Sequence, residues 1–111
     1  MIQIVVSQIN KNEFRLRITG HAQSAPYGSD LVCAACSILC ITAAERLREM
    51  ESRLEEPAKI SMQGGDAVIY CRAKENAVEA VKGVFQTIAC GARWMSENYP
   101  EYVKTKSALQ G

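Results

Sequence analysis

The only histidine of the chain and one of its five cysteines are the residues best suited to do chemistry. His21 follows a glycine, and Cys33 lies twelve residues further along, close to the predicted start of a helix. An imidazole that takes the proton of a thiol produces a thiolate, which is the nucleophile in cysteine-dependent acyl transfer. The same imidazole can later protonate a leaving amine. The two residues therefore predict a peptide-cleaving dyad if the fold brings their side chains together.

The residues just before Cys33 favour the thiolate. Ser29 or Asp30 is a good N-cap residue, and a helix that Asp30 caps has Cys33 as its third residue, although the Asp30 carboxylate itself disfavours a thiolate nearby. Amide N–H groups in a first helical turn have no partner within the helix, and the helix dipole favours negative charge there. The same amides can receive an oxyanion. We therefore expect Asp30 to cap this helix or to orient the imidazole.

The cysteines of this helix leave two other chemistries open. Cys33 and Cys36 have the C-x-x-C spacing of dithiol redox sites, although a loop and not a strand is predicted directly before them. With Cys40 and His21 they can also be interpreted as a Cys₃His zinc site, at a spacing that strains a tetrahedron. The simplest interpretation of Cys36 and Cys40 is core packing, because both lie on the apolar stripe of the helix.

Hydrophobic periodicity predicts the elements that position these residues. Alternating apolar residues indicate strands, and apolar residues spaced by three and four indicate helices. The stretch from Gly20 to Ser29 is rich in Gly, Ser and Pro and is predicted to be a loop. In chain order the predicted elements are strands at 2–7 and 14–19, a helix at 30–53, strands at 60–63 and 67–71, and a helix at 74–98. The tail at 102–107 is either a short edge strand or irregular.

The order hairpin, helix, hairpin, helix favours an α+β fold with two layers. A four-stranded, mainly antiparallel sheet covered by both helices on one face is the simplest arrangement. The chain has 111 residues without an internal linker, and we expect one domain over residues 1–111.

Composition restricts the class of protein further. The chain is 48% hydrophobic, and its 13 basic and 12 acidic residues nearly cancel. Disorder is therefore excluded as the default, and no net charge attracts the protein to nucleic acid or to a membrane. No apolar leader or membrane span is predicted, which favours the cytoplasm. An odd number of cysteines in that compartment argues against a disulfide framework, and Cys71 and Cys90 are expected to pack in the interior.

Several short motifs between residues 20 and 37 occur together. They are Gly20-His21-Ala22, Tyr27-Gly28-Ser29-Asp30, Val32-Cys33-Ala34-Ala35 and Ser37. In combination they resemble the ribosomal-processing cysteine proteases, the Prp family. The short length and the order of elements extend the resemblance to the whole chain.

The resemblance implies a specific activity. Prp enzymes are cytosolic bacterial endopeptidases that remove the N-terminal extension of large-subunit ribosomal protein twenty-seven. They cut after an aromatic pair that is followed by a small residue, they form homodimers, and no metal or cofactor is expected. A direct contact with nucleic acid is not expected either. A non-catalytic protein that binds the ribosome is the alternative from another functional class.

The resemblance also implies roles for individual residues. His21 and Cys33 match the catalytic dyad, and Asp30 matches the acidic residue of the family. We expect Tyr27 and Gly28 to belong to a mobile loop over the substrate. Ser37, together with backbone amides near Cys33, is expected to line the site and to stabilise the oxyanion.

Two further features of the sequence bear on regulation and assembly. Cys36 is not expected as a feature of the family, and it makes a disulfide with Cys33 possible under oxidation. Near the end of the second helix, Trp94, Met95 and Tyr99 are candidates for a dimer surface, although core packing is the simpler interpretation.

Overall fold

The protein folds as one mixed sheet and two long helices. The structure, a computed structural model, describes residues 1–21 and 26–109, and of residues 26–30 it describes the backbone alone. In chain order the elements are β1 (Ile2–Asn10), β2 (Glu13–Gly20), α1 (Pro26–Glu49), β3 (Lys59–Gln63), β4 (Asp66–Arg72), α2 (Val78–Asn98) and β5 (Val103–Ala108). Short 3₁₀ helices, Glu51–Arg53 and Glu75–Ala77, follow α1 and precede α2.

The sheet has five strands in the order β3-β4-β2-β1-β5, so the predicted four-stranded sheet is wrong by one strand. Both predicted hairpins are present, and β2 pairs with β4 in antiparallel fashion. The added strand is the tail, which runs parallel to β1 and makes the sheet mixed. Val103 explains why the tail is ordered, since it is almost completely buried and pairs in register with Ile2.

Alternation along the strands separates a buried face of the sheet from an open one. Val6, Leu16 and Ile69 lie side by side on the buried face, where each is completely inaccessible. This face forms one continuous core with the apolar residues of α1 and α2. The predicted two-layer α+β architecture, with both helices on one side of the sheet, is thus confirmed.

The first helix begins earlier than the sequence predicts. It starts at Pro26 instead of Asp30, because proline is favoured in a first helical turn, where its missing N–H costs nothing. Asp30 therefore lies inside α1 and does not cap it, and Cys33 is the eighth residue counted from Pro26, not the third. The backbone at Tyr27 and Gly28 is helical, which corrects the predicted loop over residues 26–29. The rest of that loop, residues 22–25, lies outside the described residues.

The second helix contributes its predicted apolar stripe to the core. Phe85 is completely buried and stacks on Phe14 of β2, with 5.3 Å between the ring centroids. Met95 is buried as well, whereas Trp94 is 56% exposed. In the part of the chain that the structure describes, no helix combines the length and apolar character needed to cross a membrane.

Candidate active site

A cleft between α1 and the edge of the sheet brings the predicted dyad together. His21 and Cys33 both line this cleft, whose volume is about 300 Å³. The remaining lining residues come from the start of β1, the end of β2, α1 and the β3–β4 turn: Ile2, Ile18, Gly20, Cys36, Ser37, Cys40, Gln63, Gly64, Gly65 and Asp66. The cleft is thus apolar at its base, and its chemically reactive groups are an imidazole, a hydroxyl and thiols.

The histidine is held by the backbone on both sides of it. Gly20 ends β2 with φ +92°, and a Cβ at this position would lie 2.1 Å from the carbonyl oxygen of Met1. Its amide donates to the carbonyl oxygen of Gly65 at 2.9 Å. The carbonyl oxygen of His21 in turn accepts a hydrogen bond of 2.7 Å from the backbone nitrogen of Met1. Only glycine fits before His21, and the imidazole therefore leaves the sheet in a defined direction.

The β3–β4 turn forms the wall of the cleft behind the imidazole. Gly65 has φ +77°, and a Cβ built on it would lie 2.6 Å from Nε2 of His21. The ring therefore rests against the bare Cα of Gly65, and any larger residue there displaces the ring or the turn. The neighbouring Gly64 has no heavy atom within 4 Å of its own Cβ position. The sequence identified Gly64-Gly65 only as a hairpin turn, not as part of the site.

The nucleophile candidate lies at the accessible end of a buried stripe. Cys33 is half-buried, while Cys36 and Cys40, which follow it on the same side of α1, are 3% exposed. Because the eighth residue of a helix lies beyond the first turn, its amide belongs to the helical ladder and the dipole acts on it only weakly. Any activation of this thiol must therefore come mainly from the imidazole, and not from the helix terminus that the sequence suggested.

The other thiols differ from Cys33 in accessibility or in protonation. Burial raises the pKa of Cys36 to about 11, and the nearby Cys33 is the smaller cause. Burial likewise raises the pKa of Cys40, and it raises that of Cys71 to about 12. These three thiols remain protonated near neutral pH. Cys90 was predicted to pack in the interior, but it is exposed on α2 and lies outside the cleft.

Of the supporting residues predicted from the sequence, only Ser37 has a side chain among the described residues. Ser37 is exposed, lies one helical turn after Cys33, and lines the cleft. Within the described residues its hydroxyl makes no hydrogen bond, so its O–H is available to a substrate. The side chains of Tyr27, Gly28 and Asp30 lie outside the described residues, and only their helical backbone enters the description.

Metal binding is not indicated by the described residues, which contain no group of three or more His, Cys, Asp or Glu side chains placed to hold an ion.

The chain matches the model of a known protein family. The family model of cysteine protease Prp matches residues 1–104, which is nearly the whole chain. The chain belongs to the Prp family. It is a cysteine protease, and the family predicted from the motifs around His21 and Cys33 is confirmed.

Solved structures share the fold of the chain. The essential ribosomal processing protease Prp of S. aureus, in complex with a substrate peptide, superposes with a TM-score of 0.71 at 18% identity over 96% of this chain and 99% of that chain. The same protease with a covalently linked product peptide gives a TM-score of 0.67, at the same identity and coverage. SMU.848 from Streptococcus mutans is 26% identical, with a TM-score of 0.72 over 99% of this chain and 96% of that one. No sequence among the curated proteins matches the chain.

Sequence reasoning missed the part of this Prp site that comes from distant strands. Gln63 and Asp66 flank the glycine turn and line the cleft, and Asp66 also forms a salt bridge of 3.2 Å with Arg17. The available signal was the pair of glycines in a hairpin turn, which allows close approach of another group. The periodicity of β3 and β4 carries no information that this turn meets the end of β2.

Proposed function

We propose that this Prp-family protease removes the N-terminal extension of large-subunit ribosomal protein twenty-seven in the cytoplasm, with Cys33 as nucleophile and His21 as acid and base. The observation that carries the proposal is the cleft that the imidazole and the accessible thiol share. The family match and the likeness in fold to an S. aureus protease described as a ribosomal processing enzyme support the choice of substrate.

The chemistry follows from these two groups. His21 accepts the proton of the Cys33 thiol, and the thiolate attacks the carbonyl carbon of the scissile peptide bond. When the tetrahedral intermediate collapses, the C–N bond breaks and the imidazolium donates its proton to the leaving amine. A water molecule then gives a proton to the imidazole and attacks the thioester. The new carboxyl terminus leaves, and the Cys33 sulfur regains its proton.

The charge that develops on the carbonyl oxygen needs a donor. The amide of Cys33 is part of the helical ladder of α1, which weakens the prediction that free backbone amides near it form the oxyanion hole. The hydroxyl of Ser37, one turn later on the same helix and at the same cleft, is the donor that we propose instead. Asp30 is proposed to orient the imidazole and not to cap the helix, and Tyr27 and Gly28 are proposed to contact the substrate.

An incubation of the purified protein with the extended ribosomal protein tests the proposal. We expect mass spectrometry to find two products whose masses correspond to cleavage after the aromatic pair. Cleavage of a generic unfolded protein, without cleavage of the extended ribosomal protein, would leave a cysteine protease with a different substrate. Binding of the ribosomal protein without any product would instead support the non-catalytic alternative.

Cys36 gives the site a second thiol that can inactivate it. Residues three apart in a helix have Cα atoms about 5 Å from each other, which a disulfide tolerates. Diamide takes the two thiol hydrogens and leaves a Cys33–Cys36 disulfide, so the nucleophile is lost. We expect Cys36→Ala to retain cleavage and to resist inactivation by diamide, whereas the unmodified protein recovers only after dithiothreitol. Equal sensitivity of both proteins contradicts the disulfide, and loss of cleavage in Cys36→Ala would give Cys36 a role in the reaction.

The homodimer is proposed to form through the outer side of α1. From Leu31 to Ala44 this helix contains no charged residue, and it exposes Leu31 and Ile38 to solvent by 68% and 56%. Trp94 of α2 lines the same shallow groove as Leu31. A helix that is apolar all round is normally covered on all sides, and a second copy would cover this face.

Charge introduced on this outer side should dissociate the dimer. We expect sedimentation velocity to find a dimer for the unmodified protein and a monomer for the double variant Leu31→Lys/Trp94→Lys. Met62, which is exposed on β3, offers a matched control, because Met62→Lys adds charge at an exposed apolar residue elsewhere. A monomeric unmodified protein, or a dimer that survives the double variant, argues against this surface.

A further inference from the structure

The sheet face turned away from the helices carries a marked excess of positive charge. We call it the open face, and define it as the residues of the five strands that alternate with the buried ones. Its charged residues are Glu13, Arg15, Arg17, Lys59, Asp66, Arg72, Lys104 and Lys106. Six of these eight are basic, whereas the rest of the chain has seven basic and ten acidic residues. The net charge of +1 therefore conceals a basic face on an otherwise acidic protein.

Strand register aligns these cations in rows across the sheet, since residues directly opposite each other share a face. The first row crosses the sheet from β5 to β3 and has Arg17 at its centre. The second row lies two residues away along β2 and has Arg15 at its centre. The two rows are Lys106–Val5–Arg17–Val68–Ser61 and Ala108–Ser7–Arg15–Tyr70–Lys59.

Three carboxylates near the open face are already engaged. Asp66 pairs with Arg17 at 3.2 Å, and Glu56, on the connection to β3, pairs with Arg72 at 3.0 Å. The carboxylate of Glu13 accepts a hydrogen bond from the hydroxyl of Tyr70.

Four cations of the open face are left without an ion-pair partner among the described residues. They are Arg15, Lys59, Lys104 and Lys106. The Lys59 ammonium lies 5.7 Å from the centre of the Tyr70 ring, an interaction that does not neutralise its charge. The excess charge is therefore available to an external anion.

We propose that the open face binds the phosphate backbone of RNA. Neighbouring strands are about 4.8 Å apart and alternate residues along a strand about 6.8 Å apart, so the rows present cations at spacings of several ångströms over a flat surface. A polyanion with regularly repeated charges matches such a surface, and most protein–nucleic acid affinity arises from this kind of contact. A protein partner normally buries apolar side chains as well, and the two rows contain none of the large apolar residues that the protein exposes to solvent.

The open face lies directly beside the cleft. The row next to the cleft contains Lys104 at one end and Asp66 and Gln63 at the other, and the last two also line the cleft. RNA held on the open face therefore lies beside the peptide site. This arrangement would place the peptide site next to proteins that are themselves bound to RNA. Binding of RNA to the open face does not depend on the identity of the peptide substrate.

Fluorescence anisotropy with a labelled single-stranded RNA of about 20 nucleotides, longer than a typical single-domain site, tests the proposal. We expect the full-length protein to bind this RNA with an affinity that falls as salt rises. The double variant Lys104→Gln/Lys106→Gln should bind at least about tenfold more weakly, and its salt slope should be smaller by about one per lysine removed. Peptide cleavage should be unchanged, because neither lysine lines the cleft.

A matched control removes the same amount of charge elsewhere. Lys74 and Arg93 are exposed and lie outside the open face, so Lys74→Gln/Arg93→Gln should bind RNA as the unmodified protein does. An equal loss of RNA affinity in both double variants would mean that only the net charge of the protein matters, and this would overturn the proposal. Absence of RNA binding at low salt would overturn it too, and so would equally tight binding of polyglutamate of the same charge, which would indicate an acidic protein partner.

Discussion

Replacing Cys33 with alanine is expected to abolish cleavage of the extended ribosomal protein. The thiol supplies the nucleophile, and no other group at the cleft can replace it, because burial raises the pKa of Cys36 and of Cys40 and keeps both thiols protonated. Loss of a nucleophile lowers turnover by on the order of 10⁴-fold or more, which brings the rate below detection. The measurement is the mass of the products after a long incubation, with circular dichroism to establish that the variant is folded.

His21→Ala should also lower the rate of cleavage, but for a different reason. Without the imidazole no base removes the proton of the Cys33 thiol, and the leaving amine receives no proton. Together these effects lower the rate of cleavage by about 10²- to 10⁴-fold. Cys90→Ala is the matched control, because Cys90 is accessible to solvent but lies outside the cleft. It should cleave at the unmodified rate.

Two results would refute the assignment of the dyad. Product formation by Cys33→Ala at a measurable rate would remove this residue as the nucleophile, and retention of full activity by His21→Ala would remove the base. Inactivity of Cys90→Ala together with the other two would instead show that the assay reports on folding. Each outcome is distinguishable, because Cys33→Ala and Cys90→Ala remove the same thiol at two positions, of which only Cys33 lines the cleft.

The family and both hairpins could be predicted from the sequence, since each depends on local patterns, and the pairing of His21 with Cys33 stays a prediction that the shared cleft supports. His21 and Cys33 belong to motifs within eighteen consecutive residues, and alternation along β1 and β2 is directly visible. The fifth strand was missed as a definite element because its place beside β1 depends on a pairing between residues about a hundred positions apart. Periodicity describes which face of an element is buried, but it does not determine which distant element lies next to it.

The error at the start of α1 has a similar origin. Pro26 and Gly28 are common both in loops and in first helical turns, and the sequence was interpreted as a loop. That choice moved the predicted helix start toward Cys33 and credited the helix dipole with activating its thiol. In the structure the first turn of α1 begins at Pro26, so the dipole acts on Cys33 only weakly. The choice of Cys33 as the candidate nucleophile did not depend on this error, whereas the account of its activation did.

The largest effect expected outside the dyad comes from a glycine. Gly65→Ala should lower kcat by about 10²-fold, the cost of displacing a catalytic group by about an ångström. The reason is steric, because the added Cβ would lie 2.6 Å from Nε2 of His21, much closer than a carbon and a nitrogen can approach. KM should change less than kcat, since the added methyl group meets the imidazole and the α1 residues of the cleft keep their positions. Gly64→Ala introduces the same methyl group one residue earlier, where no heavy atom lies within 4 Å, and it should retain kcat.

Strain in the turn is the competing explanation of such a loss, and it can be separated from an effect on His21. Alanine at φ +77° costs about 1–2 kcal/mol, so thermal unfolding of Gly65→Ala should begin at a lower temperature. The effect on the site is measured by the rate at which iodoacetamide alkylates Cys33 near neutral pH. If Gly65 acts by positioning the imidazole, Gly65→Ala slows this alkylation in the unmodified background and has no further effect in His21→Ala. If the substitution slows alkylation equally in both backgrounds, the glycine supports the cleft as a whole, and the positioning of His21 must be assigned to Gly20 and the strand end alone.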